Sequence, residues 1–395
     1  MKTKAAQAPG IMFGVTCLFW MSQYIHTSYI NAELSRVGAS AAFIGVVSGM
    51  YGLAQTLLRL PLGLAADKLN RQKPFVVLGC LMAGLSGIGM WLWYTPMGFL
   101  VFRTLGGVAA AAWVSFTVLY SSYFPPQESP QRLALLNLGN QGGRLAAFVA
   151  AVLLTAVADV RATFLACGLI GLAAAVLSLR AQETAARSAQ PEPLRTRLAV
   201  LKNRNLCIMT TLAVLAQFVA FATVYGFTAN LAATLGASAA GLSTLNLCVT
   251  IPLMVGNYLA AKRLMVRFGA RRLLAAGFVL MTVYCVFAPL VSNVWLLFAM
   301  QAVGGVGISF TMGLLLGLCV QTVEMQQRST AMGFFQALYG VGMTLGPLAM
   351  GLLIESFGMT TGFFCMAGVS LASVVLVLIA VPPMRERACA ANKQM

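Results

Sequence analysis

Three arginines, Arg59, Arg103 and Arg144, stand inside long apolar stretches of this sequence. A charge in such a place costs at least a few kcal/mol unless something answers it. No acid sits near the middle of any of these stretches. All nine (Glu33, Asp67, Glu128, Asp159, Glu183, Glu192, Glu324, Glu355, Glu386) fall near their ends or in the connecting loops. Three embedded cations without embedded counter-ions are electrostatically incomplete. Their partner is a loop-end acid, backbone carbonyls with water, or an anion brought from outside.

The arginines have polar company at helical spacing. Asn137, Gln141 and Arg144 stand at i, i+4 and i+7, one face of a helix, and Gln55 lies one turn before Arg59. Gln23 and Thr27 share a face, with Tyr24 and His26 beside it. The second half offers only uncharged groups: Gln217, Tyr225, Asn246, Thr250, Asn257, Gln301, Gln336 and Tyr339. Charge in one half and neutral hydrogen-bonding groups in the other suit a ligand with one anionic end and one polar or amphipathic end. Each arginine also has a plainer reading. Arg59 lies about 12 Å along the helix axis from Asp67 and either snorkels towards it or touches the ligand. Arg103 is deeper and serves coupling, ligand binding or a structural pair. His26 is the sole histidine, which excludes a histidine metal cluster. It is either a proton carrier titrating near neutral pH or a merely hydrogen-bonded side chain.

Helices in a bilayer must position these groups. Hydrophobic residues make up 59% of the chain and charged residues 9%, against about 25% charge in soluble domains. Apolar stretches of about 20 residues, each able to cross about 30 Å of hydrocarbon, recur throughout. They predict an all-α polytopic membrane protein with about twelve spans, the first over 9–31 and the last over 360–382. The first is too polar in its second half for a cleaved signal peptide. The net charge of +17 does not point to nucleic acid, because of where it lies. Twenty-one of the 26 basic residues fall on the side of the two termini. Arg36 and Arg161 lie opposite, and the three arginines above are embedded. That bias places both termini in the cytoplasm and the chain in the cytoplasmic (inner) membrane. The nine cysteines are scattered without CxxC spacing, so neither a disulfide framework nor a metal site is expected. GxxxxGK[ST] does not occur, which argues against nucleotide drive. One histidine and no mid-span acid argue against an intramembrane enzyme.

The chain divides into a six-span bundle over 1–180, a polar linker over 181–204 ending in the basic "LRTRLAVLKNR", and a second bundle over 205–395. The halves are pseudo-repeats. "FRTLGGVAAA" (102–111) aligns with "MQAVGGVGIS" (300–309) at an offset of 198, and "DKLNRQK" (67–73) with "VRFGARR" (266–272) at an offset of 199. Tandem helical halves are a transporter architecture, with substrate held near the midplane.

Gly63, Asp67, Lys68, Asn70, Arg71 and Lys73 form a Gly-x-x-x-Asp-Lys-x-Asn-Arg-x-Lys run between the second and third spans. It resembles the helix 2–3 loop of the major facilitator superfamily, and the resemblance extends over essentially the whole chain. Asn70 stands where that family has Gly, and Asn is the other residue at ease in left-handed backbone. The resemblance implies that Asp67 latches the two halves on the cytoplasmic side, with Arg71 as a supporting cation. The second copy keeps Arg267, Gly269, Arg271 and Arg272 but has Val266 in place of the acid, so the latch is expected to be one-sided. Arg103 with Gly106-Gly107 is similar to the helix 4 motif of proton-coupled members, and "YGLAQ" (51–55) resembles the drug-proton antiporter branch. Helix 5 departs from that branch, with Arg144 where its Gly-Pro signature has proline. The resemblance implies a monomeric secondary transporter without cofactor, moving a small-molecule substrate, anionic or amphipathic, with protons as coupling ion. The alternative it leaves open is a multidrug-type proton antiporter.

Overall fold

Backbone that crosses hydrocarbon must satisfy its own polar groups, and every regular element among the described residues is accordingly helical. The computed structural model describes residues 2–125, 128–183, 203–321, 323 and 328–382. Residues 184–202, the greater part of the expected linker, lie outside the described residues, as do the side chains of Asp67 and Lys262. Two compact units emerge, Met1–Pro191 with Ala229–Leu247, and Glu192–Thr228 with Cys248–Met395. The segment 229–247 therefore groups with the first unit although it lies in the second half of the sequence.

The first unit contains α1 (Lys2–Tyr24), α2 (Ile30–Arg36), α3 (Ala41–Leu69), α4 (Lys73–Leu92), α5 (Pro96–Ala111), α6 (Trp113–Ser122), α7 (Ser129–Val157) and α8 (Arg161–Ser178). In it α4 packs along α8, α3 on α5, and α1 on α7 and α8. The later helices are α9 (Arg204–Ala222), α10 (Thr228–Thr234), α11 (Ala239–Leu259), α12 (Met265–Phe268), α13 (Ala270–Phe287), α14 (Val294–Ile308), α15 (Leu314–Gln321), α16 (Arg328–Phe357) and α17 (Met359–Ala380). In the second unit α9 packs along α16 and α13 along α17, which repeats the α1–α7 and α4–α8 pairings of the first.

Eleven helical stretches among the described residues are long and apolar enough to cross a membrane, against the twelve or so expected. The shortfall is the first span. Helix α1 stops at Tyr24, and residues 25–29 form turns before the short α2, so the expected 9–31 helix is broken where its polar residues begin. Other breaks follow the repeat. Span four parts at Ala112 between α5 and α6, and its counterpart opens into a π turn at Ser309–Gly313 between α14 and α15. The first helix of the second half likewise loosens into a π turn at Thr223–Phe227. Such interruptions release backbone groups and are concentrated at functional sites.

The alignment read from sequence is visible in the backbone. Asn70 has φ 50° and its counterpart Gly269 has φ 77°, so both loops turn through left-handed backbone at the same point. Thr95 caps α5 by accepting from the Gly98 N–H at 3.3 Å. Asn293, its counterpart in the repeat, caps α14 by accepting from the Leu296 N–H at 2.9 Å. A Cβ added to Gly107 would stand 3.0 Å from Tyr51 Cα, and one on the equivalent Gly305 would stand 3.2 Å from Val249 Cα. Both glycines let two helices approach backbone to backbone.

Candidate functional site

The embedded arginines converge in the first unit. Arg103 leaves the middle of α5 and lays its guanidinium over the Tyr51 ring of α3, Cζ 4.1 Å from the centroid. Arg144 leaves α7 and stacks over Tyr24 at the end of α1, at 4.6 Å, with the Phe148 ring at 5.8 Å. Arg59 is half-buried two turns beyond Tyr51 on α3. The Tyr51 hydroxyl feels the charge of all three guanidiniums, and both Tyr24 and Tyr51 lie within electrostatic reach of Arg103. Sequence spacing placed these arginines on three separate helices, and the fold stacks two of them on tyrosines, Arg103 on Tyr51 and Arg144 on Tyr24.

The surrounding groups are donors or rings. Gln23 donates from Nε2 to the Gly106 carbonyl at 3.0 Å, tying α1 to the glycine pair of α5. Trp20 is buried at 6% exposure, and its indole N–H has no acceptor among the described residues. The same holds for Arg103 Nη1 and for both ring nitrogens of His26, which is 1% exposed and packs its ring 5.7 Å from Phe164. The backbone of Ser22 approaches His26 without hydrogen-bond geometry. Buried polar atoms normally find partners, so this concentration marks a polar site in an otherwise apolar bundle. On α7, Gln141 is half-buried near Arg144 in sequence, and Asn137 is exposed.

The second-half candidates fall in the second unit, except Asn246, which belongs to segment 229–247 of the first. Gln301, at the position equivalent to Arg103, is 2% exposed and donates to the Val224 carbonyl at 3.3 Å. Its Oε1 has no partner among the described residues, nor do Thr250 Oγ1 and Asn257 Oδ1. Gln217 and Tyr225 are half-buried, and Tyr225 packs its ring 5.3 Å from Phe221.

Lys68 and Arg71 are exposed, and Gly63 has only Val114 near an imagined Cβ, at 3.8 Å. Glu183, which sequence reasoning passed over, receives the backbone N–H of Gln72 at 2.9 Å and of Lys73 at 3.0 Å. Its carboxylate thus caps the start of α4, where the helix dipole favours negative charge. Lys73 Nζ donates to the Leu179 carbonyl at 2.8 Å, so α8 and α4 are fastened at this end. A cleft of about 620 Å³ opens here, lined by Arg71, Lys73, Glu183 and the apolar Pro74, Leu78 and Leu81. In the second copy Arg267 is exposed beside Gly269.

Two further polar sets carried no sequence signal beyond residue type. Glu33 on α2 is buried at 8% exposure, the one buried acid among the described residues. It takes Arg36 Nε at 2.8 Å and the hydroxyl of Tyr94, over whose ring Arg161 stacks at 4.6 Å. The hydrogen bonds that Arg36 donates to Tyr94 and Glu33 push its pKa further up, so Arg36 stays charged. The second set joins the segment 229–247 to the first half: Ser243 Oγ to the Tyr29 hydroxyl at 2.7 Å, Asn246 Nδ2 to Ser28 Oγ at 3.0 Å, and Asn230 Nδ2 to the Asn31 carbonyl at 3.1 Å. All of its members are neutral.

The family model described as Major Facilitator Superfamily matches residues 12–231 and 210–394. An uncharacterised transporter of this type from Methanocaldococcus jannaschii is 21% identical over 336 residues, 82% of this chain and 84% of its own. Multidrug resistance protein 2 of Bacillus subtilis is 27% identical over 109 residues, 28% of this chain and 27% of that protein. Among solved structures, a mutant of the nucleoside transporter NupG superposes with a TM-score of 0.78 at 16% identity, covering 96% of this chain and 100% of that one. A bacterial homolog of the human lysosomal transporter Spinster, inward-facing and unoccupied, gives 0.76 at 15% identity, with 96% of each chain covered.

Proposed function

The chain belongs to the major facilitator superfamily and is a multi-pass membrane transporter of a small molecule, and from that premise we propose that it moves an organic anion or amphipathic metabolite by alternating access, coupled to protons. Carriers of this family are not enzymes. The observation that carries the anionic reading is the placement of Arg103 over Tyr51 and of Arg144 over Tyr24, with a buried guanidinium nitrogen of Arg103 lacking an acceptor among the described residues. Where a buried donor has no acceptor, a ligand that supplies one gains the hydrogen bond and removes the desolvation cost together. Gln141, Asn137, Gln23 and Tyr24 contribute neutral contacts beside the arginines, and Gln217, Tyr225 and Gln301 are the neutral candidates of the second unit.

In this reading the neutral hydrogen bonds of segment 229–247 to Ser28, Tyr29 and Asn31 hold one state of the transport cycle. Gly63, Asp67, Lys68, Arg71 and Lys73, with Arg267 and Gly269, belong to the opposite gate. Coupling protons are carried by His26 or tuned by Arg103. The protein acts as a monomer in the cytoplasmic membrane with both termini in the cytoplasm, consistent with the distribution of its basic residues.

The test is a thermal-shift screen of the purified protein against metabolite anions, nucleosides and lipophilic cations, followed by flux in proteoliposomes. A ligand that binds only the folded state raises the melting temperature by mass action. Replacing Arg59, Arg103 or Arg144 singly with Gln is expected to abolish anion-dependent stabilisation and flux. Wild-type flux in all three variants refutes the anion reading. The second reading is a multidrug-type proton antiporter, favoured by the partial match to Multidrug resistance protein 2 of Bacillus subtilis. Efflux of a cationic dye that collapses with the proton gradient supports it.

A further inference from the structure

The ring geometry around the arginines narrows the kind of anion. We propose that the first unit reads an aromatic ring together with an acidic group, so that the carried substrate is an aromatic carboxylate or an aromatic anion of similar size. This rests on the anion reading above and adds to it a preference for an arene.

Two features of the pocket carry the argument. The first is that its two deepest guanidiniums each already lie on a tyrosine, Arg103 on Tyr51 at 4.1 Å and Arg144 on Tyr24 at 4.6 Å. A guanidinium is a plane with two faces and donors along its edge. Arg103 has Tyr51 against one face and, at its edge, an Nη1 without an acceptor among the described residues, so a group already matched to a ring can also hold a carboxylate. The rings continue outward from Tyr24. Trp20 lies 5.8 Å from it, Trp113 lies 5.3 Å from Trp20 at 70°, and Phe148 lies 5.9 Å from Tyr24 at 74°. Tyr24 and Trp113 are only half-buried, and Trp113 opens α6 directly after the helix break at Ala112, so part of this aromatic run is accessible. Edge-to-face and offset contacts of this kind reward another ring over an aliphatic group of equal size.

The second feature is the sign of the unsatisfied groups. Trp20 Nε1 and Arg103 Nη1 are both buried and both donors, without acceptors among the described residues. The buried acid of this unit does not answer them, because Glu33 already receives Arg36 and Tyr94. Two waiting donors call for an acceptor and repel an ammonium group. Rings select the arene, and donors select the anion. An aliphatic acid satisfies only the second condition and an aromatic amine only the first.

The test uses the full-length purified protein and three matched probes: 3-phenylpropanoate, 3-cyclohexylpropanoate and 2-phenylethylammonium, with binding read by titration and by thermal shift. Wild-type protein is expected to bind the phenyl acid roughly 2- to 10-fold more tightly than the cyclohexyl acid and not to bind the amine. Trp20→Phe keeps a ring and removes the indole donor, so it lowers the affinity for both acids by a similar factor. Tyr24→Leu removes the preference between the two acids, and the melting temperature of each variant confirms that it is folded. Equal affinity of wild type for the two acids overturns the aromatic inference and leaves the anion reading standing. Binding of the amine in preference to both acids overturns both. Failure of all three probes, or unchanged acid affinity in Trp20→Phe, also counts against the inference.

Discussion

Replacing Gly107 with Ala tests whether the α3–α5 contact positions the arginine pocket. The added Cβ would stand 3.0 Å from both Tyr51 Cα and Ala54 Cβ, and closer still to the Tyr51 carbonyl oxygen. Carbon atoms rest about 3.5–4.0 Å apart, so the two helices must separate by roughly 0.5–1 Å. Two of the clashing atoms are backbone and the third is a Cβ, so no side-chain rotation relieves the contact. Overpacking of this kind costs about 1–3 kcal/mol, which in a unit of this size lowers the melting temperature by roughly 2–12 °C. Arg103 stands one turn before Gly107 on α5, and its guanidinium sits 4.1 Å above the ring of the displaced Tyr51. Separation by even half that movement weakens the stack, because dispersion and cation–π attraction fall steeply over the first ångström. Gly305→Ala repeats the insult in the second unit, where the Cβ would stand 3.1 Å from the Val249 carbonyl carbon. There the residue one turn earlier is the neutral Gln301. Both variants are therefore expected to lose similar stability in detergent, measured by thermal unfolding. Gly107→Ala alone is expected to lose anion binding beyond what its melting shift explains. Wild-type melting of Gly107→Ala would refute the packing argument, and equal loss of binding in both variants would refute the placement of charge in the first unit.

Two predictions concern contacts that the sequence did not announce. Ser243→Ala removes the donor to the Tyr29 hydroxyl, a loss of about 0.5–1.5 kcal/mol. Amide hydrogen exchange in 229–247 should accelerate roughly 2- to 10-fold, and unchanged exchange would show that the segment is held by packing alone. Glu183→Ala leaves the Gln72 and Lys73 N–H groups without their acceptor. A loss of about 0.5–2 kcal/mol in thermal unfolding is expected, with Glu183→Gln falling between it and wild type. Equal stability of all three proteins would show that water serves the α4 terminus as well as the carboxylate does.

Much of the scaffold was legible because its signals are local. Apolar length announces a span, and the two copies of the glycine pair and of the basic loop announced the repeat that the backbone then displays at Asn70 and Gly269. What the sequence did not mark were the helix interruptions and the partners across helices. The first span reads as apolar up to Trp20 and then polar, but hydropathy does not say that α1 ends at Tyr24. The three arginines were identifiable from residue type alone, and their wide separation along the chain hid the fact that Arg103 and Arg144 each stack on a tyrosine of another helix. Tyr51 stands out in the sequence only as part of a motif and Trp20 not at all, since an aromatic residue in an apolar helix looks like core. Glu33 and Glu183 looked like loop acids because nothing local reveals that one is buried against Tyr94 and the other caps a helix far earlier in the chain.

The comparison between the units separates what duplication supplies from what function adds. Helix caps at Thr95 and Asn293, glycine contacts at Gly107 and Gly305, and left-handed turns at Asn70 and Gly269 recur at near-constant offset, which is what a shared packing scheme requires. The groups that differ sit on the same skeleton. Arg103 over Tyr51 becomes Gln301 donating to Val224, with Val249 in place of the tyrosine. Ser86, which donates to the Phe102 carbonyl at 2.6 Å, becomes Tyr284 bonded to Thr228. In the second unit the arginine's charge is gone, and the groups left open are the amide oxygens of Gln301 and Asn257 and the Thr250 hydroxyl, whereas the first unit keeps cations and leaves N–H donors open. Open donors in hydrocarbon are costly to maintain. A packing scheme that works with Gln and Val at these positions does not need Arg and Tyr, so the first unit's charge is retained against stability. That is the pattern expected where a ligand, rather than the fold, supplies the missing acceptor.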